Sequence, residues 1–134
     1  MVFPFIKVIP NDDLLVFELI VALITQYQQT WYEGYPAEPT VVMSAIEQIL
    51  ELEDPKLLAH LRGNAFTPQV YAWPLLKTLF TDIFSKDDWL RLMDHVFTYH
   101  EDPELLIFFC VAFLISSRAT ILQQVMNIDD LLAF

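Results

Sequence analysis

One cysteine, two glycines and seven basic residues are spread over 134 positions. Each scarcity excludes something. The lone thiol, Cys110, cannot close an internal disulfide, and it sits in the apolar stretch Phe108-Phe109-Cys110-Val111-Ala112 with no electropositive neighbour in sequence. A packing role in a reducing, intracellular setting is expected, not a reactive thiolate. No glycine-rich loop is available to cradle a phosphate. Seven Lys and Arg against eighteen acids leave a formal charge of −11. Such a surface repels phosphate backbones and anionic headgroups. Nucleic acid and polybasic membrane docking are therefore set aside, and basic protein partners are favoured over acidic ones. Long apolar runs are missing too. The longest uncharged apolar run, Leu105 to Ile115, has eleven residues, whereas a membrane span needs about 20. The start of the chain has no basic region ahead of an apolar core, and Pro4 and Pro10 interrupt it. No signal peptide is expected.

What is present is apolar surface: 55% of residues are hydrophobic and 14% aromatic. That is enough to offset ordering entropy, which excludes disorder. One domain over residues 1–134 is expected. Its apolarity suggests that part of its surface is covered by further chain or by a partner.

The punctuation is helical. Asn11, followed by Asp12 and Asp13, predicts an N-cap and a helix running to about Trp31. That helix is apolar almost all round, which predicts a central position. Glu18 in it reads as a carboxylate in a polar gap or paired with an arginine such as Arg91. Thr40 predicts a cap for a helix with Val42, Ile46, Ile49 and Leu50 on one face. Asp54-Pro55 opens a third helix that ends at Arg62-Gly63, with Gly63 in the left-handed position. Thr67-Pro68 opens a fourth, kinked or broken near Tyr71 by Pro74 and burying Leu75, Leu76, Leu79, Phe80, Ile83 and Phe84. Ser85 to Asp88 resembles a capping box, and the helix beyond it buries Trp89, Leu92, Met93, Val96 and Phe97. Asp102-Pro103 opens a buried helix to about Ser117. Arg118–Val125 and Ile128–Leu132, the latter capped by Asn127, close the chain. No stretch alternates with period two for long enough to make a strand. The fold class is all-α, with roughly seven to eight helices.

Chemistry is sparse. His95 and His100 are five apart, on different faces of a continuous helix, and His60 is remote, so no zinc pair forms. No nucleophile motif is spaced for catalysis, and no metal or cofactor is expected. Asp94 reads as a structural acceptor for a backbone or tryptophan N–H group. Glu53-Asp54-Pro55-Lys56-Leu57-Leu58 and Glu101-Asp102-Pro103-Glu104-Leu105-Leu106 look alike, but their flanks do not match, and helix-start grammar explains them without a repeat.

Tyr71-x-Trp73-x-Leu75-x-x-x-Leu79-Phe80, then Trp89-Leu90-Arg91-Leu92-Met93-Asp94-x-Val96-Phe97, resembles the C-terminal half of a TBC domain, the module that acts on Rab-type GTPases. The structural motif of that family maps onto Tyr71, Trp73, Phe80, Trp89, Arg91 and Asp94, with Met93 where tryptophan is usual. Leu57-Leu58-Ala59-His60-Leu61, Asp13 to Leu19, and Leu106 to Leu114 followed by Arg118 resemble further elements of it. Phe3-Pro4-Phe5-Ile6-Lys7 and Tyr71 to Leu76 look most like a WD-repeat-bearing branch.

The resemblance implies an irregular helical bundle, a fragment of a larger multi-domain protein, and association with a Rab-type GTPase or with centrosomal proteins. The setting it implies is cytoplasmic, at the centrosome, centriolar satellites or cilium base. Active members supply an arginine from Ile-x-x-Asp-x-x-Arg and a glutamine from Tyr-x-Gln. The arginine is worth about 10³–10⁵ in rate. Here Ile9-Pro10-Asn11-Asp12-Asp13-Leu14-Leu15 ends in leucine. Tyr27-Gln28-Gln29 matches the short second motif, but in the helix that normally follows it and without the usual glycine. Gln29 reads as a polar residue near a helix end. The expectation is a non-catalytic interaction module with no catalytic residues. The alternatives are a fragment of an active Rab activator whose fingers lie upstream, and a helical-repeat scaffold with no GTPase contact.

Overall fold

The computed structural model describes residues 2–32, 34 and 36–124. Among them are nine α-helices, one 3-10 turn and no strand. The helices are α1 (Val2–Val8), α2 (Asp13–Gln26), α3 (Thr40–Glu53), α4 (Pro55–Gly63), α5 (Pro68–Tyr71), α6 (Trp73–Lys77), α7 (Lys86–Thr98), α8 (Leu105–Ser116) and α9 (Arg118–Gln124). The 3-10 turn is Gln29–Tyr32.

Helix α1 is not anticipated by the sequence reading. Pro4 lies in its first turn, where a missing N–H breaks no intrahelical bond. Its anchor is Phe5, buried edge-on against Trp89 at 5.0 Å and Phe97 at 6.4 Å. The cap of α2 falls one residue later than expected, at Asp12, whose Oδ1 accepts the Leu15 N–H at 2.9 Å. That helix stops at Gln26 and is not central. Leu14 and Phe17 are 67% and 64% exposed, while Val16 and Leu23 face inward. Apolar residues all round a helix are buried only when neighbours cover every side. Here α1 covers one side of α2. Glu18 is exposed, as is Arg91, so the expected polar gap or ion pair is absent.

Thr40 is the first residue of α3 rather than its cap; Pro39 precedes it without a side-chain bond. Helix α4 starts as the sequence predicts, with Pro55 at its first position and Asp54 Oδ1 accepting the Leu57 N–H at 3.0 Å. Its end differs. Gly63 is still helical, and the left-handed residue is Ala65, φ 60°. Around it Phe66 N–H reaches the Leu61 carbonyl at 2.9 Å and Ala65 N–H the Arg62 carbonyl at 3.0 Å, a Schellman closure.

Pro74 splits the next helix at Ala72, because proline cannot donate to the carbonyl four residues back. The chain restarts as α6 with Pro74 in its first turn. It then ends at Lys77, short of the expected Phe84, in a second Schellman closure. Phe80 N–H reaches the Leu75 carbonyl at 2.8 Å, Leu79 N–H the Leu76 carbonyl at 3.0 Å, and Leu79 has φ 52°. Turns carry the chain to Ser85, which caps α7 by accepting the Asp88 N–H at 3.2 Å. Asp88 Oδ2 answers by accepting the Ser85 hydroxyl at 2.7 Å, not the backbone N–H of a full capping box.

The two look-alike segments fold differently. Asp54 caps a helix at the third residue on, whereas Asp102 accepts the Glu104 N–H at 3.1 Å in a tight turn and α8 begins after Glu104. The expected helix Ile128–Leu132 and its cap Asn127 lie outside the described residues.

The centre is α3 against α8. Helices α4 and α5 pack on α3, while α6 and α9 pack on α8. Ile46 and Leu50 of α3, Leu57 and Leu61 of α4, Leu106 and Cys110 of α8, and Ile121 of α9 are fully buried there. No helix among the described residues is long and apolar enough to cross a membrane.

Candidate functional site

The six motif residues do not converge on one site. Tyr71 is buried at the end of α5. Its hydroxyl has no hydrogen-bond partner among the described residues, and burial, then the nearby Glu47 charge, push its pKa up. Trp73 opens α6 and meets Trp31 of the 3-10 turn edge-on at 5.9 Å. Phe80 is fully buried with φ 62°, among Phe84, Phe109 and Phe113. Trp89 is buried in the first turn of α7, and its indole N–H donates to the Leu79 carbonyl at 2.9 Å. That bond fastens the left-handed turn to α7.

Arg91 and Asp94 lie on the outer face of α7, both exposed. The expectation that Asp94 accepts a tryptophan or backbone N–H between helices is corrected: the indole of Trp89 goes to a carbonyl, and the Asp94 carboxyl faces solvent. The carboxylate that does join elements is Asp54. It is 8% exposed, caps α4 through Oδ1, and takes Arg118 Nε of α9 on Oδ2 at 2.6 Å. The cap was legible in Asp-Pro, but the ion pair was not, since nothing local links residues so far apart.

The finger motifs can be placed as well. Leu15, where the first motif calls for arginine, is in the first turn of α2 and 40% exposed. Tyr27 is buried, and its hydroxyl reaches the carbonyl of Val96 and, at 3.1 Å, that of Tyr99. It closes the C-terminal carbonyls of α7, and burial, with the Asp102 charge second, raises its pKa. Gln28 is almost fully buried and accepts the Tyr32 hydroxyl at 3.2 Å, while Gln29 is exposed. Of the three arginines, Arg62 faces Glu47 at 3.4 Å and Arg118 holds Asp54. Arg91 lines a cleft of about 550 Å³ beside His95 and Tyr99. Among the described residues no group of His, Cys, Asp and Glu could hold a metal ion. Cys110 is wholly buried, and desolvation pushes its thiol up to about 12.

The family of this helical frame is decided by its sequence. A Rab-GTPase-TBC domain family model matches residues 1–122. The chain belongs to the Rab-GTPase-TBC domain family. It is similar to TBC1 domain family member 31 of Xenopus tropicalis, 40% identical over 121 residues, which are 90% of this chain and 11% of that protein. The mouse protein of that name (Mus musculus) is 40% identical over 127 residues, 95% of this chain and 13% of the relative. TBC1 domain family member 5 homolog B of Dictyostelium discoideum is 32% identical over 76 residues, 57% of this chain and 8% of that protein. The chain thus spans about a tenth of the length of the curated relatives it matches. No solved structure matches. Of the motif side chains, Tyr71 of α5, Phe80 of the turn after α6 and Trp89 of α7 are buried.

Proposed function

We propose that this chain is a non-catalytic portion of a TBC domain. In this reading it engages a Rab-type GTPase, or a protein scaffold, without accelerating GTP hydrolysis. The observation that carries the reading is the disposition of the arginines. A finger needs a guanidinium free to reach a phosphate. Leu15 stands where the motif places it, and Arg62 and Arg118 each face a carboxylate of their own chain. Arg91 sits mid-helix on α7 and belongs to neither motif segment. An engaging surface is offered by α1 and α2, where Ile6, Leu14, Phe17 and Val21 are all at least two-fifths exposed. The test is GTP turnover by a panel of Rab proteins with and without this chain. Unchanged turnover together with measurable binding is expected. Acceleration abolished by Arg91→Ala or Gln29→Ala would overturn the reading.

A second reading is that the chain is part of an active Rab activator whose fingers lie elsewhere in a longer protein. The same exposed α1–α2 face favours it, because an apolar face of this kind is commonly covered. A longer natural chain that accelerates hydrolysis while this one does not would decide for it. A scaffold with no GTPase contact would be marked by binding to a centrosomal protein and to no Rab in any nucleotide state. Placement in the cytoplasm at the centrosome, centriolar satellites or cilium base rests on the sequence resemblance and is checked by imaging a tagged chain.

A further inference from the structure

Two clefts adjoin on one side of the molecule, of about 550 and 530 Å³, sharing Phe3, Pro4 and Thr81 in their walls. Each is within the size range of ligand-binding sites. Together they form a groove bounded by α1, the 3-10 turn, α6 and the start of α7. One end is lined by the edge-on pair Trp31 and Trp73, the other by Phe84 and Trp89. Phe3 stands between them, 65% exposed.

The charge around this groove runs against that of the protein. The chain has four lysines, and Lys7, Lys77 and Lys86 line the two clefts. All three are exposed, and none makes an ion pair among the described residues. Lys7 Nζ instead lies 4.7 Å from the centre of the Phe3 ring, a cation–π contact. Glu38 is the one carboxylate among the described lining residues. Asp88, though close in sequence to Lys86, is bonded to Ser85 and lines a different cleft. At physiological salt the Debye length is about 8 Å. Charges farther than that from the groove are largely screened, so three ammonium groups against Glu38 set the local field.

We propose that this groove receives a peptide segment of a partner protein bearing apolar or aromatic residues together with Asp and Glu. The aromatic walls take the apolar side chains, and the lysines pair with the carboxylates at the rim. Net charge alone favours basic partners; the groove selects the opposite sign. Three lysines neutralise too few phosphates to hold a nucleic-acid backbone, which directs the choice to a peptide. The groove shares α1 with the engaging face proposed above, but Leu14, Phe17 and Val21 of α2 do not line it, so substitutions on α2 and at the lysines test the two readings separately.

The experiment is selection of a random displayed-peptide library on the whole chain, followed by titration of the enriched peptides. Enrichment of segments pairing Asp or Glu with Phe, Trp or Leu is expected. The triple variant K7E/K77E/K86E should weaken binding about tenfold or more, since it removes three attractions and adds three repulsions. Lys56→Glu, which reverses the fourth lysine outside the groove, should leave binding unchanged. Unchanged melting temperatures confirm that the variants fold. No enrichment, enrichment of basic segments, or equal loss in the Lys56 variant would overturn the proposal. So would a change in the chain's own oligomeric state in the triple variant, which would make a second copy the occupant.

Discussion

Asp54 holds two partners on one carboxylate, the Leu57 N–H at the head of α4 and Arg118 at the head of α9. Removing the cap costs about 1 kcal/mol, and losing a hydrogen bond to a charged group about 1.5–3 more. Asp54→Ala should therefore destabilise by about 2–4 kcal/mol in urea unfolding. Asp54→Asn keeps an acceptor for Leu57 and should cost about half as much. Arg118→Ala leaves a nearly buried carboxylate without its cation, and should fall closer to the alanine variant than to the asparagine one. Equal stability of all three variants and the parent would mean that this pair joins nothing. The contrast with Asp94 is instructive. Both are Asp within a recognisable motif, but only burial and a distant arginine make one of them structural, and neither is visible in the local sequence.

At the scale of the element, the starts of α4 and α7 were legible and the ends of α4 and α6 were not. Asp54-Pro55 and Ser85 each place a side chain where it must accept an N–H, a rule written in adjacent residues. The ends of α4 and α6 instead use left-handed Ala65 and Leu79, positions where the sequence offers no glycine. A left-handed residue with a Cβ costs roughly 1–2 kcal/mol. At Leu79 that cost is offset by a wholly buried side chain and by the indole bond to its carbonyl. At Ala65, which is exposed, no buried side chain of its own adds to the closing hydrogen bonds. Ala65→Gly should accordingly stabilise by about 1 kcal/mol and raise the melting temperature by about 3–5 °C. Leu79→Gly relieves the same strain but empties a core position, at a net cost of about 2 kcal/mol or more. A lowered melting temperature in the Ala65 variant would contradict the assignment. Burial of Leu76, Leu79 and Phe80 was readable from spacing. The helix ending before Leu79 was not, because the same apolar spacing suits a helix and a tight turn packed on one core.

For the whole molecule, the central helix was misplaced by composition alone. Both α2 and α8 are apolar nearly all round, yet only α8 has neighbours on several sides, α3, α6 and α9. The thiol at its middle gives a pH test. Cys110 is raised by burial from 9.0 to about 12, so the folded state favours the protonated form. Its contribution to stability is complete below pH 9 and is lost as pH rises from there toward 12. Tyr27 and Tyr71, raised above 10.0 by burial, act in the same direction higher in that window. Stability should fall steeply above pH 9, and Cys110→Ala should fall less steeply although it starts lower for lack of the thiol's packing. Parallel curves would remove the thiol from the account.

Because α2 is peripheral, its two faces should answer mutation in opposite ways, and the same holds for α1. Phe5 fills the space between Trp89 and Phe97, whereas Phe17 is 64% exposed. Phe5→Ala should cost about 3 kcal/mol and expose the α1–α2 junction to limited proteolysis. Phe17→Ser and Leu14→Ser leave the core intact and should change stability by less than about 0.5 kcal/mol. What they should change is association. Leu14, Phe17 and Val21 lie at i, i+3 and i+7 on one helix face, so an uncovered chain can bury them only against another molecule. Light scattering should show concentration-dependent association of the parent chain that the two serine substitutions reduce together. If that face is where a partner or further TBC-domain chain docks, the same pair should abolish its binding while Phe5→Ala weakens it only in proportion to the fraction unfolded. A loss of stability in the serine variants as large as that of Phe5→Ala would place α2 in the core after all.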